Sequence, residues 1–228
     1  MAQFHYVEDY ERLVADLISK YPIEEAMSRA VGGGYNEIGE ILAEVLIQNG
    51  LTNGMKLIDL GCGSGRAAKA ISKRRHIEYL GIDIVQTLLD YAKTMSPSHY
   101  RFRRSINLQI EEPDGGADMI CAFSLFTHLL HEETYIYLRG AHQCLKGGGK
   151  LVFSFLEFRE PIHWSIFDDT VKSRHFGQPL HLNMFIERNV IERWSQILGF
   201  SQPSYIDATD QRWNGKALGQ SVAVLIKQ

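Results

Sequence analysis

The sequence predicts an α/β fold in which a mostly parallel sheet carries helices on both faces. Three observations lead to this prediction. Short apolar runs alternate with helical patterns, a glycine-rich turn joins the first run to a helix, and an acidic residue ends the second run. Strands buried on both faces need no strict alternation of apolar and polar residues. A chain of 228 residues is long enough for one domain, residues 1–228, with a large core.

The first apolar run, Met55 to Leu60, turns abruptly into the glycine turn, Gly61-Cys62-Gly63-Ser64-Gly65, and a helical pattern follows. Glycine permits the dihedrals of such a turn and the close approach of another group. The amides at the start of the next helix can receive a polar or anionic ligand group. A plain structural turn is the less favoured interpretation, because an acid, Asp59, precedes alternating glycines.

The glycine spacing distinguishes two classes of cofactor. Dinucleotide-binding turns follow G-x-G-x-x-G, whereas Asp59-Leu60-Gly61-Cys62-Gly63-Ser64-Gly65 has glycines two apart and is followed by Arg66. This stretch resembles the first motif of class I S-adenosylmethionine-dependent methyltransferases, an acid followed by G-x-G-x-G. The resemblance implies a Rossmann-like, seven-stranded, mostly parallel sheet with an antiparallel last strand. It also implies S-adenosylmethionine as the cofactor and S-adenosylhomocysteine as its product.

The resemblance assigns roles to residues around the turn. Asp59 would orient the loop, and Tyr35, which follows a triglycine loop, is either a wall of the cofactor pocket or a core residue. The turn residues expected to line the methionine tail of the cofactor are Gly61, Cys62, Gly63 and Gly65.

The second apolar run predicts a strand over residues 77–84 with Asp83 near its end, followed by a helix. A carboxylate there can accept hydrogen bonds from both ribose hydroxyls, with capping of the helix as the alternative. The resemblance places Ile84 against the adenine. Members of the family often carry an acidic or polar residue after the third strand; here Ser105 and Ile106 are the candidates in its place.

The fourth strand is predicted over Ala117 to Phe123, and the loop at its carboxyl end should face the site of transfer. Phe123 is therefore a candidate cofactor contact. His128 is a candidate general base, because an imidazole titrates near neutral pH. A structural hydrogen bond within the loop is the equal alternative for His128, and His131 is the weaker candidate base.

Residues 36–228 form the predicted core, with a helix over 132–145, a strand over 150–155, a last helix over 187–198 and final strands at 204–207 and 221–226. Residues 156–186 are rich in aromatic and histidine side chains, and connections this long are usually functional or have structure of their own. We expect either a substrate cover or a structural insert. Its histidines, His163, His175 and His181, match no compact ligand spacing, so no metal is expected.

Residues 1–35 are predicted to be an N-terminal helical extension. Tyr10, Val14 and Leu17 lie on one apolar stripe, and Pro22 separates a second short helix. The same stripe suits a packing element or a lid over the substrate. Asn36 is expected to cap the next helix.

Composition narrows the class of protein. The net charge of −3 gives no basic field for nucleic acid, and the basic run 73–76 is expected at a helix C-terminus, where cations complement the dipole. Three cysteines without metal-ligand spacing are expected to be free thiols, as in a cytoplasmic protein. No apolar run approaches the length of a membrane span, and no signal-peptide pattern opens the chain.

These observations predict methyl transfer from S-adenosylmethionine to a small hydroxylated or aminated molecule. A protein side chain is the alternative acceptor. A module that binds the cofactor without transferring methyl is the alternative outside enzymes, since binding and chemistry would use the same turn. A nicotinamide oxidoreductase is disfavoured by Arg66. The acceptor atom and the oligomeric state stay open.

Overall fold

A computed structural model describes residues 5–177 and 182–228. The chain divides into two compact units, residues 1–109 and residues 110–228. Within the described residues, no helix has both the length and the apolar composition needed to cross a membrane. The three cysteines, Cys62, Cys121 and Cys144, are free and buried, as their spacing predicts.

The first unit is built from parallel strands joined through helices. Its helices are α1 (His5–Lys20), α2 (Ile23–Ala30), α3 (Tyr35–Gln48), α4 (Arg66–Ser72) and α5 (Gln86–Thr94), and its strands are β1 (Lys56–Leu60), β2 (Glu78–Asp83) and β3 (Arg101–Arg104). β2 pairs in parallel with both β1 and β3. Both acids singled out in the sequence, Asp59 and Asp83, therefore belong to neighbouring parallel strands.

The second unit adds the antiparallel strand. It contains β4 (Ala117–Ala122), a 3-10 turn (Phe126–His128), α6 (His131–Cys144), β5 (Leu145–Phe155), α7 (His163–His175), α8 (Arg188–Leu198), β6 (Ser204–Ile206) and β7 (Ser221–Ile226). β5 is parallel to β4, and β7 is antiparallel to both β5 and β6. β5 and β6 therefore run in the same direction and end at the edge where β7 begins.

The seven strands belong to one sheet with the order β3-β2-β1-β4-β5-β7-β6. The predicted fold class is confirmed, namely a Rossmann-like, mostly parallel α/β sheet with an antiparallel last strand and an N-terminal helical extension.

Two local predictions need correction. α3 begins at Tyr35 after a left-handed Gly34, so Asn36 lies inside the first turn and does not cap the helix. β5 begins at Leu145 and includes Lys146 and the glycine run 147–149, which lie between the predicted helix and the predicted strand. This run pairs with Lys227, since the Gly148 amide donates to the Lys227 carbonyl at 2.9 Å.

Residues 156–186 contain α7, so this long connection has structure of its own.

The N-terminal helices pack on the helix that follows β2. Val14 of α1 and Met27 of α2 are buried against Val85 and Leu88. Only the centre of the predicted apolar stripe is fully buried: Val14 is 2% exposed, whereas Ile18 is 38% exposed. The extension is therefore a packing element of the first unit, whether or not it also acts as a lid.

Candidate functional site

The glycine turn follows β1. Backbone dihedrals and packing against neighbouring residues explain why glycines stand at alternate positions in it. Gly61, Gly63 and Gly65 have φ values of 69°, 54° and 82°, in the left-handed region. A Cβ at Gly63 would lie 2.6 Å from Val31 Cγ1, and one at Gly65 would lie 2.7 Å from Ala92 Cβ. The group that approaches each of these two glycines in the structure is thus a protein side chain.

Asp83, at the end of β2, holds the glycine turn through backbone amides. Its Oδ2 accepts from the Gly63 N–H at 2.8 Å, and its Oδ1 accepts from the Val85 N–H at 3.0 Å. Burial raises the pKa of Asp83, and these backbone hydrogen bonds oppose the shift. A carboxylate has about four acceptor positions, so both oxygens keep capacity for further donors. These remaining acceptor positions fit the two hydroxyls of a ribose.

Asp59 and Cys62 are more deeply buried than Asp83. Asp59 lies opposite Gly81 in the sheet, and its Oδ2 accepts from the Tyr79 hydroxyl at 2.6 Å. The Cys62 thiol packs against β2, since a Cβ at Gly81 would lie 2.7 Å from its Sγ. Burial raises the pKa of the Cys62 thiol well above its ordinary value. The side chains of both residues are therefore held within the first unit.

The N-terminal elements bind the outer side of the glycine turn. The Tyr35 hydroxyl donates to the Ser64 carbonyl at 2.8 Å, and the Ser64 hydroxyl donates to the Met27 carbonyl at 3.0 Å. Arg66 donates from Nη1 to the Val31 carbonyl at 2.7 Å. In the sequence, Arg66 was evidence only against a dinucleotide site. No local pattern indicated that its side chain binds the loop before α3.

Tyr10 of α1 is a residue near the site that sequence reasoning missed. Tyr10 packs on the cluster of Val14, Met27, Val85 and Leu88, as does Ile84, the residue after Asp83. Burial raises the pKa of the Tyr10 hydroxyl, and the charge of Asp83 adds to the shift. In the sequence Tyr10 is one member of an apolar stripe, and its position depends on how α1 packs on the residues that follow β2.

The three predicted adenine contacts lie at the ends of β2 and β3. Ile84 is half-buried and packs on the cluster formed by Val14, Met27, Val85 and Leu88. The Ser105 amide donates to the Asp83 carbonyl at 3.0 Å, and its hydroxyl donates to Asn107 Oδ1 at 2.8 Å. Ile106 is 47% exposed. The structure brings these residues close to Asp83, with the Ser105 hydroxyl engaged locally.

In the second unit, polar side chains join the end of β4 to β5 and β7. Phe123 is buried directly after β4, and Ser124 follows with φ 53°. The Ser124 amide donates to Ser154 Oγ at 2.8 Å, and Ser154 donates to Gln220 Oε1 at 2.6 Å. A non-glycine residue held in the left-handed region is strained, and such residues are concentrated at functional sites.

His128 and His131 tether the residues that lead into α8. His128 Nδ1 lies 2.7 Å from the Leu182 carbonyl, and His131 Nε2 lies 3.0 Å from the Phe185 carbonyl. A carbonyl only accepts, so each of these nitrogens carries the hydrogen. In neutral His128 the lone pair is then on Nε2. The predicted structural bond of His128 is present, and it selects the tautomer that a general base would need.

Residues 156–186 have an aromatic cluster of their own, composed of Phe158, Trp164, Phe167 and Phe185. The rings of Phe158 and Phe185 stack at 4.4 Å, and Phe167 meets Phe158 edge-on at 5.1 Å. Phe158 is 38% exposed and Trp164 is 52% exposed. The segment is therefore internally packed and still presents an aromatic surface.

The histidines of this segment have different surroundings. His163 is buried, with Nδ1 3.0 Å from the Glu157 carbonyl and Nε2 3.3 Å from the Gly219 carbonyl. His175 packs on Phe176. His181 lies outside the described residues.

Comparison with known proteins identifies the domain. Residues 58–153 match a family model described as a methyltransferase domain. A TehB-like S-adenosylmethionine-dependent methyltransferase from Corynebacterium glutamicum is 20% identical, with 98% of each chain covered and a TM-score of 0.60. A methyltransferase from Thermotoga maritima described as a possible histamine N-methyltransferase is 12% identical, with 98% of this chain and 99% of that chain covered and a TM-score of 0.67. Magnesium protoporphyrin IX methyltransferase from Synechocystis is 13% identical, covering 100% of this chain and 90% of that chain, with a TM-score of 0.61.

The likeness to these structures shows the fold, and the family match covers the glycine turn and Asp83. Residues 58–153 are therefore assigned to a methyltransferase domain, in agreement with the glycine motif.

Proposed function

We propose that this methyltransferase acts on a small-molecule acceptor that binds under the aromatic cluster of residues 156–186. The aromatic surface carries this proposal. The aromatic rings of Phe158 and Trp164 stay exposed. Ligand pockets are typically lined by aromatic side chains with a few polar groups. The tethers from His128 and His131 would hold the returning part of this cover in place.

We assign the donor site to the first unit. Asp83 would accept hydrogen bonds from the ribose hydroxyls with the lone pairs that its backbone contacts leave free. The backbone of Gly61, Cys62, Gly63 and Gly65 would support the methionine tail, with Asp59 and Tyr35 fixing the turn from behind. Ile84, Ser105 and Ile106 would contact the adenine. The cofactor supplies an activated methyl group, so the protein contributes mainly proximity and orientation.

Two further facts support a small acceptor over a macromolecule. The proteins from Thermotoga and Synechocystis that share this fold are described by small-molecule substrates, histamine and magnesium protoporphyrin IX. The net charge of −3 gives no general attraction for nucleic acid.

His128 is our candidate general base, with Phe123 lining the transfer site from the end of β4. Its Nδ1–H donates to the Leu182 carbonyl, which orients the ring and places the basic lone pair of the neutral imidazole on Nε2. A base is needed only for acceptors that lose a proton in the transition state. A hydroxyl acceptor meets that condition, whereas a protonated amine needs a base to remove its proton before it can attack the methyl group.

A labelled-methyl transfer screen tests the proposal. Protein and S-adenosylmethionine carrying a labelled methyl group are incubated with a small-molecule panel and with protein extracts in separate arms. We expect label in small molecules; label in protein alone would overturn the acceptor class. Calorimetry with S-adenosylmethionine, S-adenosylhomocysteine and NAD should show binding of the first two, and binding of NAD alone would contradict the donor site.

The base is tested by His128→Asn. The asparagine amide can replace the Nδ1–H donor to Leu182, but it cannot accept the proton. With an acceptor from the screen, we expect turnover to fall about 100-fold or more, the lower range of general base contributions, with little change in KM. Unchanged turnover from pH 6 to pH 9 would show that His128 is only a tether.

A further inference from the structure

We propose that Gln220 is a specificity-determining residue whose side-chain Nε2 donates a hydrogen bond to a carboxylate or carbonyl oxygen of the methyl acceptor. This inference rests on the proposed small-molecule function and adds a chemical class of acceptor to it. Gln220 directly precedes β7, whose first residue, Ser221, pairs with Phe155 at the end of β5. Ligands of open α/β sheets bind outside the carboxyl ends of the parallel strands. Gln220 therefore lies at the edge of the second unit where an acceptor is expected.

Two serine hydroxyls fix the orientation of the Gln220 amide. The Ser154 hydroxyl donates to Gln220 Oε1 at 2.6 Å, and the Ser124 hydroxyl donates to the same oxygen at 3.3 Å. Ser154 Oγ also accepts from the Ser124 amide at 2.8 Å, so its own hydrogen is left for Gln220. The amide oxygen therefore faces the serines, and the NH₂ group points away from them.

The NH₂ group of Gln220 is available to a ligand. Within residues 5–177 and 182–228, no group accepts a hydrogen bond from its Nε2. The side chain is half-buried, and Nε2 is reached by solvent. An amide NH₂ has two hydrogens to donate and accepts none. It can therefore bind an oxygen of a ligand, and it cannot bind an ammonium group.

The backbone on both sides of Gln220 is anchored. The carbonyl of Gly219, the preceding residue, lies 3.3 Å from His163 Nε2. On the other side, the Ser221 hydroxyl donates to Oε1 of the buried Glu157 at 2.6 Å. A donor on an anchored backbone loses little conformational freedom when a ligand binds, and this favours specific recognition.

Ser124 provides an independent indication that this network serves a function. Its φ of 53° lies in the left-handed region, which is costly for a residue with a side chain. Residues held in such conformations are concentrated at functional sites. In this conformation the Ser124 amide binds Ser154 and its hydroxyl binds Gln220. The strained serine therefore supports the orientation of Gln220 that leaves Nε2 open.

The surroundings of Gln220 favour an aromatic ligand. His163, which contacts the residue before Gln220, is followed on α7 by Trp164, whose ring is 52% exposed. Ligand pockets typically combine aromatic side chains with a few polar groups. An aromatic carboxylate would use both the ring surface and the Nε2 donor. Benzoate is therefore the probe, and benzylamine, which carries an ammonium group on the same ring, is its comparison.

Calorimetry on the full-length protein saturated with S-adenosylhomocysteine tests the site, with benzoate and benzylamine titrated separately. We expect benzoate to bind with a Kd of about 1 mM or below. Gln220→Glu keeps an oxygen for the serine hydroxyls and replaces the NH₂ group by a second oxygen. Because a charge-assisted hydrogen bond is lost, it should weaken benzoate binding about ten-fold or more, and it should strengthen benzylamine binding. Gln211→Glu is the matched control, since Gln211 is an exposed glutamine in the same connection between β6 and β7.

Three results would overturn the proposal. These are no benzoate binding up to about 10 mM, ten times the expected constant; benzoate affinity of Gln220→Glu equal to that of the unchanged protein; and equal weakening of benzoate and benzylamine binding by Gln220→Glu, which would indicate a structural role. Circular dichroism checks the fold of this variant. If it is unfolded, Gln220→Met replaces it: weaker benzoate binding supports the proposal, and unchanged binding rejects it.

Failure of this inference and failure of the proposed function give different results. Benzoate binding is measured without methyl transfer. A protein that binds benzoate through Gln220 but labels only protein acceptors in the screen would overturn the proposed acceptor class alone. A protein that labels small molecules, and whose benzoate affinity is unchanged by Gln220→Glu, would overturn this inference alone.

Discussion

The glycine turn after β1 and the segment after β5 both follow buried strands, but they are held in different ways. The glycine turn is held by backbone geometry. Three of its glycines lie in the left-handed region, and the amides of residues 61 and 62 both donate to the Ile82 carbonyl. Residues 156–186 are held by side chains from distant parts of the chain. His128 and His131 each bind a carbonyl 54 residues away. A loop of the first kind is specified by adjacent residues, whereas a loop of the second kind is specified by the fold.

The largest effect that this contrast predicts is the cost of a side chain in the turn. Gly65→Ala should destabilise the protein by about 2–5 kcal/mol. A left-handed non-glycine residue costs about 1–2 kcal/mol, and overpacking costs about 1–3 kcal/mol. The new Cβ would lie 2.7 Å from Ala92 Cβ. Urea unfolding measures the loss.

The control for this substitution comes from the other loop. Gly177→Ala has a similar φ of +65° with nothing within 4 Å of the new Cβ. It should show the dihedral cost alone, about 1–2 kcal/mol. Equal losses for the two variants would mean that helix packing does not fix the glycine spacing.

Asp83→Ala is expected to have the next largest effect. It removes the acceptor of the Gly63 and Val85 amides and, on our proposal, of the ribose hydroxyls. Charge-assisted hydrogen bonds are roughly twice as strong as neutral ones, so S-adenosylhomocysteine should bind more than about ten-fold more weakly. Calorimetry measures the change.

The control for Asp83 is Asp90→Ala on α5. Asp90 is 60% exposed and pairs only with residues of its own helix, so affinity should not change. A loss of less than about two-fold in Asp83→Ala would contradict the ribose role, because a lost charge-assisted pair should cost more.

The sequence was sufficient for features that local chemistry determines. The alternating glycines at 61, 63 and 65 predicted the turn, because each one needs a dihedral that other residues avoid. The donor was predicted from the resemblance of this stretch to the methyltransferase motif. The acid at the end of β2 was found because parallel strands end at a common edge. Most strand and helix bounds followed from apolar periodicity in the same way.

The sequence was insufficient where contacts join distant segments. Tyr10 is placed by the packing of α1 on Val85 and Leu88 after β2, and its apolar stripe indicates helix packing alone. Asn36 has the chemistry of a cap, but the left-handed Gly34 already begins the helix one residue earlier.

A smaller effect is expected in the aromatic cluster. Trp164→Ala should raise the KM of an acceptor about three- to ten-fold, since partial loss of an aromatic contact costs about 1 kcal/mol. The Kd for S-adenosylhomocysteine should stay the same. Steady-state kinetics and calorimetry measure the two quantities.

Phe176→Ala, on the same segment, is the matched control for Trp164. Phe176 is 71% exposed and its ring contact is with its neighbour His175, so its KM should not change. If both variants raise KM equally, the effect is not specific to the aromatic cluster. If Trp164→Ala leaves KM unchanged, the cluster is a structural insert.

The last predicted effect is a pH dependence of cofactor affinity through Asp83. Burial raises the pKa of this carboxyl in the free protein, and ribose hydroxyls would bind its ionised form. Affinity for S-adenosylhomocysteine should therefore be constant at high pH and fall as the pH falls through the raised pKa. A single proton limits the slope to about ten-fold per pH unit. Calorimetry from pH 8 to pH 5 measures the dependence, and Asp83→Asn should abolish it.

The stability of the protein separates this effect from acid unfolding. A carboxyl whose folded pKa is raised favours the folded state below its unfolded pKa, and this contribution is lost as the pH rises through the folded pKa. As the pH falls, Asp83 thus stabilises the folded state while the protein loses affinity for the cofactor. Affinity that falls together with Tm as the pH is lowered would indicate general acid unfolding. The contribution of Asp83 to stability is the difference in Tm between the unchanged protein and Asp83→Asn. If affinity falls while this difference is maintained, the loss of affinity is due to the Asp83 carboxylate.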